Sequence, residues 1–469
     1  MSLGSAFALP FAHALVARQD LPIPAWLFAW GASLVLIVSF FALSAAWRKP
    51  RFEQLHWKPA GEALSRRLLS LPVQALCGAI GIFLFGVAIY AGLRGTEAPD
   101  RNFALTFLFV TTWLGFPFFS AIFGDLFRPF NPWRAIGRAF GGGFVAIAGQ
   151  RPAHLRYPQR LGRWPAAIGL LAVVWLEVIY GGSGGVAIGL DPHTCAVAAC
   201  VYSGYTLAMM ALFGVEEWCD RGEVFSVYFG MFSQLGFLAV RDGRIGRRRP
   251  LAAAGRWAVV PGSTAVVVAS IASTSFDGGQ DGAFKEILET VVGWVEGLGT
   301  SILTAERLTD TIFLLLFFAG VGLIFWLGLR GMRTVPGAPS LPKLRTGFAH
   351  TLIPIALAYL IAHYFSLFVF QEQAQFTYLL SDPLGTATTD LFGTANAGID
   401  FKVISSNAIW YVQVGSLVAG HVLGLTLAHD RALVIWPDYV RATRSQYWML
   451  AVMVAFTCFG LYLLSAGNG

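Results

Sequence analysis

Charge is the scarcest commodity in this chain. Asp, Glu, Lys and Arg make up 13% of its 469 residues, against about 25% in an ordinary soluble domain. That excludes a conventional water-solvated surface over most of its area. Cysteine is also sparse, with five residues at 77, 195, 200, 219 and 458. They form no CxxC or Cys/His pattern, which excludes a disulfide framework and a zinc finger. No nucleophile elbow, Walker loop or HExxH occurs. The glycine-rich GGSGG at 181–185 lacks the strand–helix setting of a phosphate loop and reads as an outer loop. The stretch Met1 to Val16 has no basic start, so it reads as retained rather than as a secretory signal. No internal repeat is evident.

What is abundant is apolar surface. Hydrophobic residues form 56% of the sequence, with 39 Phe and 15 Trp. Several apolar runs reach the roughly 20 residues that cross a hydrocarbon core of about 30 Å. The fold class is therefore all-α, a polytopic helical bundle forming a single integral membrane domain over 1–469. About ten spans are expected, near 25–46, 72–93, 103–124, 164–181, 193–213, 257–276, 310–329, 347–370, 406–428 and 446–465.

The charges sort by loop. Alternate loops (47–71, 125–163, 214–256, 330–345 and 429–445) hold 27 of the 33 Lys and Arg, while 15 of the 26 acids fall on the opposite side. The K/R bias of short loops sets topology, so both termini are expected outside and the basic loops in the cytoplasm. The formal +7 thus reflects topology and attraction to anionic lipid, worth about 1 kcal/mol per residue near the surface. The bilayer is the expected partner, and nucleic acid is not. A second membrane protein or another copy of the chain stays open.

Two basic loops are long. In 125–163, Phe, Trp and Arg alternate before a break expected at Gly141-Gly142-Gly143, which suits an interfacial amphipathic segment. In 214–256, GEVFSVYFGMFSQLGFLAV is apolar, but its basic residues lie only at the far end. It reads as re-entrant or interfacial. Outside, AFKEILETVVGWVEGLG carries Ile287, Leu288, Val291, Val292 and Val295 at helical spacing, as a surface-lying helix would.

Chemistry points to the eighth and ninth spans. Four of the eight histidines, His350, His363, His421 and His429, lie there. An imidazole stripped of water in lipid must find a partner, so such residues default to function. His363 lies 13 residues beyond His350, roughly 20 Å further out. Pro354 frees the carbonyl of residue 350 and should kink the helix there. Glu177 is the one carboxylate inside a span, toward the outer side and nearer His363 than His421. On the outer rim, His13, Arg18 and Asp20 precede Leu21-Pro22-Ile23-Pro24. Asp277 and Asp382 mark span and turn ends, as a cation-binding or cavity-capping edge would.

The segments HALVARQDLPIPAWLFAWGASLVLIVSFFAL, FRPFNPWRAIGR, RGEVFSVYFGMF, STSFDGG, SDPLGTATTDLFGTA and GHVLGLTLAHDRAL, in this order, resemble a group of bacterial multi-pass inner-membrane proteins, the fenitrothion hydrolase-like family. The resemblance runs from residue 13 to about 435. It implies a bacterial inner-membrane protein that hydrolyses an aryl organophosphorus triester, and it carries over no catalytic residues.

Three functions follow as expectations. In a metal-assisted hydrolase of a small apolar or amphiphilic ester, His363, His421 and Glu177 would be catalytic. A divalent ion would draw on His350, His363, His421 and His429, polarising the ester and activating water. In a permease or ion-handling protein the same groups would line a path. In a haem-bearing electron-transfer subunit, paired histidines would be axial ligands, although His350 and His363 would point about 140° apart on a straight helix.

Overall fold

In the computed structural model, the described residues are 25–52, 57–150, 152–183, 190–280 and 282–466. The motif at His13, Arg18, Asp20 and 21–24 lies outside them. The protein is an all-α polytopic bundle. Eight described helical stretches, some of them built from consecutive helices, are long and apolar enough to cross a membrane: Ala29–Ala46, Leu71–Arg94, Phe103–Phe123, Pro192–Phe213, Ile302–Met332, Leu341–Ser381, Ser406–Ile435 and Tyr439–Leu463. Their outward faces carry large apolar side chains such as Leu34, Phe83, Ile122, Val201 and Leu316, the surface expected of helices solvated by lipid.

The two other expected spans also fold as helices, and each shows why it is atypical. Trp164–Val174 continues as a π-helical run, Trp175–Tyr180. Ser263–Gln280 is rich in Ser, Ala, Thr and Gly, and 15 of its 18 residues are buried. It packs against the 164–174, 302–332, 353–376 and 447–466 helices, which makes it the central helix of the bundle. Small side chains let neighbouring backbones close on it. Its low hydropathy is the consequence of touching protein on every side.

A second π-helical run, Thr106–Gly115, sits inside the 103–123 helix. Wide turns of this kind recur at functional sites. The 341–376 region is not one kinked helix. Leu341–Phe348 ends, a 3-10 turn spans Ala349–Leu352, and Ile353–Phe376 begins anew with Pro354 in its first turn. Proline there gives up only an N–H that a new helix leaves unpaired anyway.

The expected break at Gly141–Gly143 does not occur. Pro132–Ala148 runs straight through it and ends at Gly149, whose φ of 69° closes the helix. Glycine permits a break but does not demand one, and its helix penalty of about 1 kcal/mol is a weak prior. In the 214–256 region, Val224–Ser233 is a buried ten-residue helix. At 1.5 Å per residue it rises about 15 Å, half the core thickness. A hairpin, Leu238–Arg241 with Arg244–Arg247, follows, and Lys58–Pro59 adds a short third strand. The amphipathic helix forms at Lys285–Glu296, burying Leu288 while Ile287 and Trp294 stay exposed.

The tightest pairing is between Ile353–Phe376 and Ser406–Ile435. Gly420 and Gly424, four residues apart, let the second helix lie directly against the first. A Cβ on Gly420 would stand 2.3 Å from the Ala358 Cβ, and one on Gly424 would stand 2.8 Å from the Thr351 carbonyl oxygen. This close approach sets the positions of all four intramembrane histidines.

A buried Asp–His–Tyr cluster and an apolar cavity

Asp277 occupies the last turn of the central helix. It was expected at the rim, but it is buried, 3% exposed, because that helix is enclosed on all sides. Its Oδ2 lies 2.8 Å from His363 Nε2. The Tyr364 hydroxyl donates to the same oxygen, and Gln280 Nε2 donates to Oδ1 at 3.1 Å. His363 and Tyr364 are consecutive on the 353–376 helix, with ring centroids 4.4 Å apart. One carboxylate thus collects three side-chain contacts from two helices. A buried carboxylate is stable only with partners of this kind. The His363 side chain remains 21% exposed, so it is reachable from outside the cluster. Its Nδ1 faces Gly278, where a Cβ would come within 3.2 Å.

Glu177, in the second π-helical run, is within electrostatic reach of Asp277. Its charge is also felt at Tyr364, at Tyr228 and at Cys195. Asp277, His363 and Tyr364 form the polar cluster proper, with Glu177 close enough to act on it electrostatically. Asp277 was visible in the sequence as an acid at a span end, and Tyr364 as the neighbour of His363. Neither their pairing nor their burial was.

The other histidines lie apart, each with its own partners. His421 is fully buried. Its Nδ1 lies 2.7 Å from the Leu417 carbonyl, and its Nε2 meets no hydrogen-bond partner. His429 Nε2 donates to the Trp47 carbonyl at 2.9 Å, and its Nδ1 accepts from Gln446 at 3.1 Å. His350 is buried in the 3-10 turn against Gly255. Among the described residues no three His, Cys, Asp or Glu side chains converge. The donor set expected for a divalent ion is therefore not assembled among the described residues. Each imidazole is held by a different neighbour: Asp277 for His363, the Leu417 carbonyl for His421, and Trp47 with Gln446 for His429.

A large cavity, about 1050 Å³, lies between the 71–94, 103–123, 164–180, 192–213 and 224–233 helices. It matches the upper end of small-molecule pockets, about 300–1,000 Å³. Phe107, Trp113, Phe116 and Trp133 line it, and both π-helical runs contribute wall residues. Its lining does not include Asp277 or His363. It approaches them through Leu176, next to Glu177, and through Cys195. Trp113, on the cavity wall, stacks on Tyr228 at 5.0 Å.

A column of polar groups was not anticipated at all. Along the contact between Thr106–Gly115 and Ile353–Phe376, the buried oxygens of Thr106, Thr111, Gln371, Glu372 and Gln375 have no hydrogen-bond partner of good geometry. Thr111 and Glu372 nonetheless sit close together. One turn or more along, the Gly115 position meets Phe368. The two helices therefore run antiparallel where they meet.

On the basic side, Glu216 gathers Arg128, Arg134 and Arg138 at 2.8, 3.0 and 2.7 Å. Partial burial works against its charge. The Arg134 hydrogen bonds and the three guanidinium charges prevail and hold its carboxyl below the usual 4.5. Nearby, burial lowers the Arg163 guanidinium to about 10, although it lies over the Trp257 ring and donates to the Ala258 carbonyl.

No protein-family model matches the chain, and comparison with curated proteins and with solved structures gives no match either.

Proposed function

We propose that this multi-pass membrane protein hydrolyses an apolar organophosphorus ester inside the bundle, with His363 as general base. The observation that carries the reading is the 2.8 Å contact between His363 and the buried Asp277 carboxylate, which Tyr364 also engages. With Nε2–H donated to Asp277, the basic lone pair sits on Nδ1. A carboxylate so placed fixes the tautomer and stabilises the imidazolium that forms. The resemblance to fenitrothion hydrolase-like proteins supplies the substrate class. The 1050 Å³ apolar cavity supplies room in the bundle for an aryl triester, although His363 is not part of its wall. The proposed site lies in a bacterial plasma membrane with the basic loops inside.

In the step proposed, water attacks phosphorus as His363 removes its proton. The P–O bond to the aryl group breaks, and the aryl oxide leaves with the bonding pair. Purified protein is given a 4-nitrophenyl dialkyl thiophosphate, and nitrophenolate release is followed by absorbance. General-base catalysis contributes about 10²–10⁴-fold. His363→Gln and Asp277→Asn, each eluting and melting like the parent, should lose at least about 100-fold in kcat. Turnover within a few fold of the parent in both variants refutes the assignment.

The polar seam at Thr106, Thr111, Gln371, Glu372 and Gln375 favours a second reading, a proton-coupled permease whose path reaches the Asp277–His363 pair. Proton uptake into proteoliposomes that is lost in Glu372→Gln, with no ester hydrolysis, would select it.

A further inference from the structure

Away from the Asp277 cluster, a small cavity of about 30 Å³ lies among Ile271, Phe325, Ile355, His421, Met449 and Phe456, with Met453 also on its wall. That is room enough for a water or a bare ion. Everything facing it is apolar, aromatic or thioether except one imidazole. His421 is wholly enclosed, and its Nε2 is without a partner.

The state of that imidazole is set by its other nitrogen. Nδ1 lies 2.7 Å from the Leu417 carbonyl, which can only accept, so Nδ1 carries the hydrogen. Nε2 is then left with a lone pair directed away from the helix backbone. A ring nitrogen tied to a main-chain carbonyl, with its opposite nitrogen bare, is the arrangement of a metal-ligating histidine. Met449 and Met453 stand one turn apart on the 447–466 helix and are 1% and 2% exposed. Both methionines line the cavity, and the Met449 sulfur also packs over Gly328.

The chemistry of this set is selective. A water needs two to four polar partners, and this cavity offers one. Zinc, calcium and magnesium want carboxylate, thiolate or several imidazoles, and none is here. Two thioethers and a neutral imidazole are soft, uncharged donors suited to a soft monovalent ion. Such an ion brings a single charge, and aromatic faces attract cations. Phe325 and Phe456 line the space, and the Tyr359 ring lies 6.2 Å from that of His421.

We propose that His421, Met449 and Met453 form a buried site for a soft monovalent metal ion, Cu(I) by chemistry. The site is separate from the hydrolytic centre and does not rest on that reading.

The test uses full-length protein in detergent, loaded with Cu(I) under reducing conditions and desalted against a chromophoric Cu(I) chelator. Ag(I) serves as the redox-inert probe. One ion per chain should be retained, and X-ray absorption should show one nitrogen and two sulfur neighbours. Met449→Leu and Met453→Leu conserve volume. Each should weaken retention at least about tenfold, and His421→Gln should abolish it. His363→Gln should bind like the parent. If His421→Gln does not fold, the two leucine variants decide. No retention against the chelator, a nitrogen- and oxygen-only shell, or full retention in the Met449→Leu/Met453→Leu double variant overturns the proposal.

Discussion

Replacing Gly420 with alanine adds one methyl group at a close seam between two helices. The new Cβ would stand 2.3 Å from the Ala358 Cβ and 2.8 Å from the Pro354 carbonyl oxygen. Carbon atoms rest at about 3.5–4.0 Å, so the two helices must separate by roughly 1.2 Å or more, and neither contact is the end of a flexible chain. Overpacking of a close-fitting interior costs about 1–3 kcal/mol. Alanine recovers up to about 1 kcal/mol through helix propensity, which leaves a net loss of about 0–2 kcal/mol by these figures. Gly415 lies on the same helix with nothing within 4 Å of its would-be Cβ. There alanine keeps the propensity gain without the collision. Melting followed by intrinsic fluorescence in one detergent should rank Gly415→Ala above the parent and Gly420→Ala below it. Because the seam positions His363, the same Gly420 substitution should also depress ester turnover. A Gly420→Ala protein as stable as Gly415→Ala would refute the packing argument.

Two further outcomes follow. The Glu216 carboxyl is held below its ordinary value, so the three-arginine cluster stabilises the fold above the unfolded glutamate range, near 4.5. That stability fades as pH falls through the lower folded value. Melting temperature should drop with acid below about pH 4.5, and Glu216→Gln should flatten this dependence; an equally steep fall in the variant would argue against the linkage. For orientation, single cysteines at the exposed Lys58 and Lys402 should label oppositely with an impermeant maleimide in spheroplasts. Lys402→Cys should react from outside and Lys58→Cys only after permeabilisation; the reverse result inverts the topology.

The parts of this fold that the sequence makes legible are those governed by the bilayer. Long apolar runs become helices wherever lipid is the solvent, so 71–94 and 192–213 could be read almost residue by residue, and 302–332 in its apolar centre though not at its polar start. The serine-rich 263–280 helix is harder, because hydropathy measures contact with lipid and this helix meets protein. Its enclosure is also what takes Asp277 from an apparent rim position into the interior. The 3-10 turn before Pro354 and the two π-helical runs stay hidden for another reason. A shift of hydrogen-bond register costs little locally and is decided by neighbours far away in the chain. Among the candidate residues, His363 and Glu177 could be singled out as ionisable groups in oil. The separation of His421 and His429 from them could not, since each imidazole is held by a different neighbour. Met449 and Met453 carry no signal as residues, because buried methionine is ordinary core filling.

Asp430 holds the loop after the first helix to the helix of His421 and His429. Its carboxylate accepts from the Arg51 amide at 2.6 Å, the Phe52 amide at 3.2 Å and the Trp47 indole at 3.0 Å. Two of those three donors are main chain, which every residue but proline supplies. The arrangement is therefore indifferent to side-chain identity on one strand of the fastening and intolerant on the other. For this fastening alone positions 51 and 52 need only a main-chain N–H, whereas losing the single acid at 430 would unfasten all three points together.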